Sequence, residues 1–249
     1  MQPGEPADFI VVDSLTDFNV LQTYINGELV AENGKSLIPS VESGIINRFN
    51  TSLKTPEQFA VQAEGEDLQV IEALEGQLIT NKLILPPKIV NGFVAADVAN
   101  DVLKLAVVNR YANTPPAIAF IKNFGLKKGA IASSVAHDSH NIIAVGVDDE
   151  SIAGAVNALI EVKGGIVAVD NEISQVLPLP IAGLMTGEDG YQVARQYEQL
   201  DKLAKNMGCT LQSPFMTLSF MALLVIPSLK LSDKGLFDGE KFEFTSVWR

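Results

Sequence analysis

The spacing of hydrophobic and polar positions changes several times along the chain, and each change marks an element. Phe9-Ile10-Val11-Val12-Asp13 is a short apolar run that reads as a strand. In Thr23-Tyr24-Ile25-Asn26-Gly27-Glu28-Leu29-Val30, Asn-Gly sits between apolar alternations. That is the strongest short hairpin signal, because both turn residues need positive φ. One strand and one hairpin cannot hold a core. They are expected to complete a sheet whose other strands lie elsewhere. Residues 34–58, with Gly34, Lys35, Ser36, Pro39, Ser40, Ser43 and Pro56, read as a linker or extended connection.

From residue 59 the pattern turns to strands. Phe59–Ala63, Leu68–Leu74 and Leu78–Leu85 follow one another, the last stopped by Pro86-Pro87. Asp101–Arg110 is apolar through its middle, as a buried strand should be. Ile131–Ala136 and Ile142–Val147 are strand-like and flank a polar loop, His137-Asp138-Ser139-His140-Asn141. Asp148-Asp149 then supply an N-cap and dipole-compatible charge for a helix. Its stripe is Ile152, Val156, Leu159 and Ile160, and Gly164-Gly165 stop it before a strand at Gly165–Asp170. A second helix is predicted over 189–207, with Val193, Tyr197, Leu200, Ala204 and Met207 on one face. The longest apolar run, Leu218–Ile226, is too short to cross a bilayer and reads as part of a buried strand over 216–226. A last strand is expected at 241–247. The fold class is mixed α+β, strands and helices in layers.

Composition narrows the function. The 249 residues are 47% hydrophobic, enough for a substantial core. The net charge is −12 and the longest basic cluster is Lys127-Lys128, so neither nucleic acid nor an anionic membrane is an expected partner. A neutral small molecule suits this balance. Cys209 is the one cysteine, so no internal disulfide forms. No basic-then-apolar leader opens these residues, and a cytoplasmic setting is expected.

The two histidines, His137 and His140, fall in one loop with Asp138, Ser139 and Asn141, and Ser133 and Ser134 lead in. These groups suit metal ligation, acid–base work or hydrogen bonding to a polar heterocycle. They equally suit a polar turn that holds its own backbone. Arg110, at a strand end, faces either a ligand or a carboxylate, or caps the strand. Cys209 reads as a small apolar core residue. Gly125 and Gly164-Gly165 lack the spacing of a phosphate cradle, and no G-x-S-x-G nucleophile elbow is present.

Longer motifs carry a resemblance. They run through Val107-Val108-Asn109-Arg110-Tyr111, Lys122 to Asn141, Leu177 to Met185, Gly208-Cys209-Thr210, Pro214 to Phe220 and Pro227 to Leu236. The chain resembles the carboxy-terminal portion of bacterial adenine deaminases, closely over about 97–245. Residues 1–58 are similar to the last strands of the small β-sandwich of amidohydrolases plus a linker, and 59–249 to the deaminase C-terminal domain. The resemblance implies a parent reaction, adenine and water to hypoxanthine and ammonia. It also implies a divalent metal (manganese, iron or zinc) in a TIM-like barrel that these residues lack. Partners implied are adenine, the N-terminal barrel and further copies in a homo-oligomer. The candidates for chemistry are then His137, Asp138 and His140. Those for substrate binding are Arg110, Ser133, Ser134 and Asn141. A structural or oligomerisation domain without substrate contact is the alternative.

Overall fold

A computed structural model describes residues 2–39, 41–42, 44–170 and 173–249. Ser40 and Ser43, read above as part of the connection, lie outside the described residues. The chain forms two compact units, Met1–Ser43 and Gly44–Arg249.

The first unit is an antiparallel meander of β1 (Phe9–Val12), β2 (Val20–Ile25), β3 (Glu28–Glu32) and the two-residue β4 (Lys35–Ser36). Asn26 and Gly27 both take positive φ, 50° and 79°, so the predicted hairpin forms between β2 and β3. Its sheet stays thin: Phe9, Ile10, Val11, Val20 and Leu21 are all exposed.

The second unit begins with an extended stretch and a 3-10 turn at Pro56–Phe59. β5 (Leu68–Ala73) and β6 (Thr80–Leu85) follow, then the small hairpin β7 (Lys88–Val90) and β8 (Phe93–Ala95), β9 (Val102–Val108) and β10 (Ala117–Lys122). Next come β11 (Ala130–Ser133), β12 (Ile142–Gly146), α1 (Asp149–Glu161), β13 (Gly165–Val169) and β14 (Ser174–Pro178). α2 (Gly190–Asn206), α3 (Pro214–Phe220), β15 (Leu229–Ser232), β16 (Gly235–Asp238) and β17 (Glu243–Thr245) complete it. Eight strands share one sheet in the order β14-β13-β11-β12-β9-β10-β5-β6, with only β10 and β5 parallel. Among the described residues no sheet closes into a barrel.

Strand alternation divides the core into layers. In β9, Leu103, Leu105 and Val107 face one side, where α2, α3 and the β15–β16 hairpin supply Leu200, Met207, Phe215, Leu218 and Leu231. Ala106 and Val108 face the other, with Ala130, Ala132 and Ala144 beneath Ile152, Val156 and Leu159 of α1. Alanines on that face let the helix sit close to the sheet. Both faces being covered, the central strands read as unbroken apolar runs. α1 starts where predicted: the Asp148 carboxylate accepts the Ser151 N–H at 2.7 Å. β12 and β13 both run antiparallel to β11, so α1 crosses over β11 between two parallel strands.

Some expectations are corrected. Residues 216–226 are not a strand. Pro214 at the first helical turn starts α3, and the chain then turns through to β15. A short apolar run carries no period that separates strand from buried helix. Phe59–Ala63 is the end of the 3-10 turn plus a single bridge from Gln62 to Phe93, not a strand.

Candidate functional site

The sheet order brings several ends together. β9 and β11 finish, and β12 and β13 begin, at the same edge of the sheet: Val108 pairs with Ile142, and Ser133 pairs with both Ile143 and Ile166. Arg110, the 134–141 loop and the glycine pair at 164–165 therefore meet, although they are scattered in sequence.

Ser134 is fully buried and ties this edge together. Its hydroxyl donates to the Gly183 carbonyl at 2.5 Å and accepts the Gly165 N–H at 2.8 Å. Gly183 has φ 71°, and a Cβ there would lie 2.5 Å from the Arg110 Nη1. Glycine is thus required at this turn for the guanidinium to lie against the backbone. Ser133 is also buried, and its hydroxyl accepts the Val135 N–H at 2.9 Å. Both serines act inside the scaffold.

Arg110 is 4% exposed. Its Nη1 donates to the Asn47 Oδ1 at 3.1 Å and its Nη2 to the Tyr111 hydroxyl at 2.8 Å. The guanidinium carbon lies 4.6 Å from the Tyr111 ring centre and 5.8 Å from that of Phe49, within cation–π range. Its Nε is buried without a hydrogen-bond partner. Asn141 is buried beside it; its Oδ1 accepts the Arg110 N–H at 3.2 Å, and its Nδ2 donates to Ser139 Oγ at 3.3 Å. The Tyr111 hydroxyl donates onward to the Ser139 carbonyl at 2.9 Å, joining the arginine to the loop tip.

The histidines lie together within the loop. Their ring centres are 5.9 Å apart, and His137 stacks on Phe220 of α3 at 4.8 Å. His140 has φ 51°, a left-handed conformation that costs a side-chain-bearing residue roughly 1–2 kcal/mol. Its N–H is held by the Ala136 carbonyl at 2.8 Å. Burial lowers the His140 pKa, the nearby His137 and Arg110 lower it further, and Asp138 opposes them. The charged form of the ring is thus disfavoured, and its Nδ1 is buried with no partner. Asp138 and Ser139 are exposed at the loop tip. The loop and the end of β9 together present an imidazole whose charged form is disfavoured, the Asp138 side chain and an orphaned guanidinium N–H, groups suited to hydrogen bonding a polar ring.

A metal does not fit this loop. Among the described residues no three His, Cys, Asp or Glu gather as a ligand set. Cys209 is 7% exposed and burial pushes its thiol up to about 11, which removes it as a nucleophile. Among the described residues no helix is long and apolar enough to cross a membrane. Asn47, Phe49 and Phe220 complete the site and were not evident from sequence. Asn47 and Phe49 lie in the stretch that reads as a linker, and Phe220 in the apolar run that reads as a strand.

The profile of the family described as adenine deaminase C-terminal domain matches residues 77–243. The chain belongs to that family. An adenine deaminase of Salinibacter ruber is 52% identical over 246 residues, covering 98% of this chain and 45% of the relative. One of Sulfurovum sp. is 54% identical over 250 residues, 100% of this chain and 45% of the relative. One of Methanosarcina barkeri is 51% identical over 258 residues, 100% and 46%. The chain thus spans under half the length of the curated relatives it matches, and corresponds to their C-terminal portion.

Proposed function

We propose that these residues form the C-terminal part of an adenine deaminase, which converts adenine and water to hypoxanthine and ammonia. In the intact enzyme the 133–141 loop, with Arg110, walls one side of the base site. The observation that carries this reading is the convergence of Arg110, His137, His140 and Asn141 at one sheet end. There two buried nitrogens, Arg110 Nε and His140 Nδ1, have no protein partner. A buried polar atom left unpaired costs about 1–3 kcal/mol, a cost that a hydrogen-bonding ligand removes. His140, Asp138 and Arg110 are the contacts to the base or to a bound intermediate, and Ser133, Ser134 and Asn141 hold them in place. The divalent metal of the reaction (manganese, iron or zinc) is held by the rest of the enzyme, in the N-terminal barrel, so this portion is not catalytic alone. Residues 1–58, the end of an amidohydrolase-type β-sandwich plus its linker, lead into the C-terminal domain at 59. The enzyme is a cytoplasmic homo-oligomer.

The test replaces Arg110, His137, Asp138 and His140 singly by alanine in the intact enzyme. A fall of tenfold or more in kcat/KM for at least His140 and Arg110 is expected, measured under conditions where each variant is fully folded by its melting curve. Unaltered kinetics would remove the loop from the site and favour the second reading, an assembly domain with no substrate contact. That reading draws on Ile45, Ile46 and Leu53, which are 70%, 78% and 56% exposed along the extended stretch. Scattered exposed apolar residues need no explanation, but a run of them marks a covered surface.

A further inference from the structure

Beside the histidine loop lies a cleft of about 430 Å³, bounded by Asp138 and Ser139 on one side and by the β16–β17 hairpin on the other. We infer that this cleft takes the flat face of a neutral purine-sized base, with Phe242 and Phe244 as the stacking surfaces and Asp138, Asp233 and Lys234 meeting the ring edge. The inference deepens the reading of the 133–141 loop given above, because Asp138 and Ser139 belong to both.

The floor is Phe237, 7% exposed, set edge-to-face against Phe242 (5.3 Å, 83°) and against Phe244 (5.3 Å, 77°). One buried ring thus braces two others that are 70% and 49% exposed. Held apolar rings facing solvent in a concave site are what a stacking ligand needs, and every nucleobase has a π face to offer. The volume falls within the ordinary range of small-molecule sites, roughly 300–1,000 Å³.

The rim supplies direction. The Asp233 Oδ2 accepts the Asn109 Nδ2–H at 2.8 Å, which fixes the carboxylate next to the Arg110 segment. The Ser232 hydroxyl accepts the Lys234 N–H at 3.0 Å and shapes the turn that carries both Asp233 and Lys234. Carboxylates suit amino and ring N–H groups, and an ammonium suits a ring nitrogen lone pair. Two acids against one lysine leave the rim net negative. A phosphate-bearing nucleotide is therefore repelled while a free base is not.

The experiment is ligand-observed saturation-transfer NMR and calorimetry on the 249-residue chain with adenine, hypoxanthine and AMP. Binding of the two bases and rejection of AMP is expected. Phe242→Ala and Phe244→Ala should each weaken base binding about tenfold, the loss of one stacking contact. Phe242→Trp should retain it. Phe242 is mostly solvent-exposed, so matched melting curves separate lost binding from lost folding. No base binding, or equal binding by the alanine variants, overturns the inference. So does a concentration-dependent dimer that Phe242→Asp abolishes while no base binds, because the aromatic patch would then be an interface between copies. These outcomes are independent of the kinetic test of the loop. Loop variants that alter turnover while the chain binds no base sink this inference alone. Base binding that needs Phe242, beside silent loop variants, sinks the earlier reading alone.

Discussion

The Arg110 Nη1 donates to the Asn47 Oδ1 at 3.1 Å, across 63 positions of sequence. Asn47 in turn donates to the carbonyls of Lys163 (2.7 Å) and Pro180 (2.9 Å). A stretch with the composition of a linker is thereby fastened to the sheet edge. Further along it, Asn157 accepts the Lys54 N–H at 2.8 Å and donates to the Lys54 carbonyl at 2.9 Å.

Arg110→Met should therefore loosen that stretch. Hydrogen bonds to a charged group are worth about 1.5–3 kcal/mol, and a loss of about 2 kcal/mol is expected in urea denaturation. Arg110→Lys should not restore it, because an ammonium cannot reach Asn47 and Tyr111 as a planar fork does. Faster proteolytic cleavage near residue 47 is the local readout. A variant more stable than the wild type would mean that the cost of burying the unpaired charge outweighs these bonds.

His140 makes stability fall on the acid side. Its folded pKa lies below the ordinary imidazole value of 6.5, mainly through burial. As pH drops from about 6.5 the unfolded chain takes up the proton first, so unfolding is favoured progressively until the folded pKa is passed. His140→Gln should flatten this limb of the stability profile. Identical acid limbs in the two proteins would show that the imidazole is not held neutral.

Lys230 gives the opposite end of the profile. It is fully buried in β15, with its Nζ donating to the Leu78 carbonyl at 2.6 Å, and burial brings its pKa from 10.5 down to about 8. Below pH 8 the folded state carries a buried ammonium at a cost of the order of 3 kcal/mol. Between about 8 and 10.5 the folded state releases the proton before the unfolded chain does, and that cost fades. Lys230→Met should therefore be more stable than the wild type at pH 7, with the gap closing by pH 10.5. Comparing the two proteins cancels the opposing raised pKa values of Tyr197 and Cys209. A gap independent of pH would contradict a titrating lysine.

Cys209 should be unreactive while the chain is folded. With its thiol pushed up to about 11, almost no thiolate is present at pH 8. Labelling by a disulfide reagent should follow global unfolding, rising with urea along the same transition as the fluorescence of Trp248. Rapid labelling in native buffer would place the thiol at an accessible position.

Much of the central sheet was legible because its signals are local. Asp148 capping α1, the stripe of Ile152, Val156 and Leu159, and the Gly164-Gly165 stop all lie within one stretch of chain. β10 was missed: Ala117–Lys122 follows Pro115-Pro116, and its strand character comes from being held between β9 and β5. The 137–141 loop was visible as a concentration of both histidines, but not its neighbours. Nothing in the spacing of Phe220 or Asn47 points toward His137 or Arg110.

By itself the sequence determined the α+β class, the hairpin at Asn26-Gly27, the cap and stripe of α1, the stripe of α2, and the polar loop as the place to look for chemistry. Each depends on residues only a few positions apart, where side-chain period and turn φ are set by the chain's own geometry. The tertiary structure alone decided that Arg110 stands under Asn47, that Ser134 serves the Gly183 turn, and that Phe237, Phe242 and Phe244 open beside Asp138. Those meetings depend on strand order and on which sheet edge each loop leaves, relations that no local spacing contains.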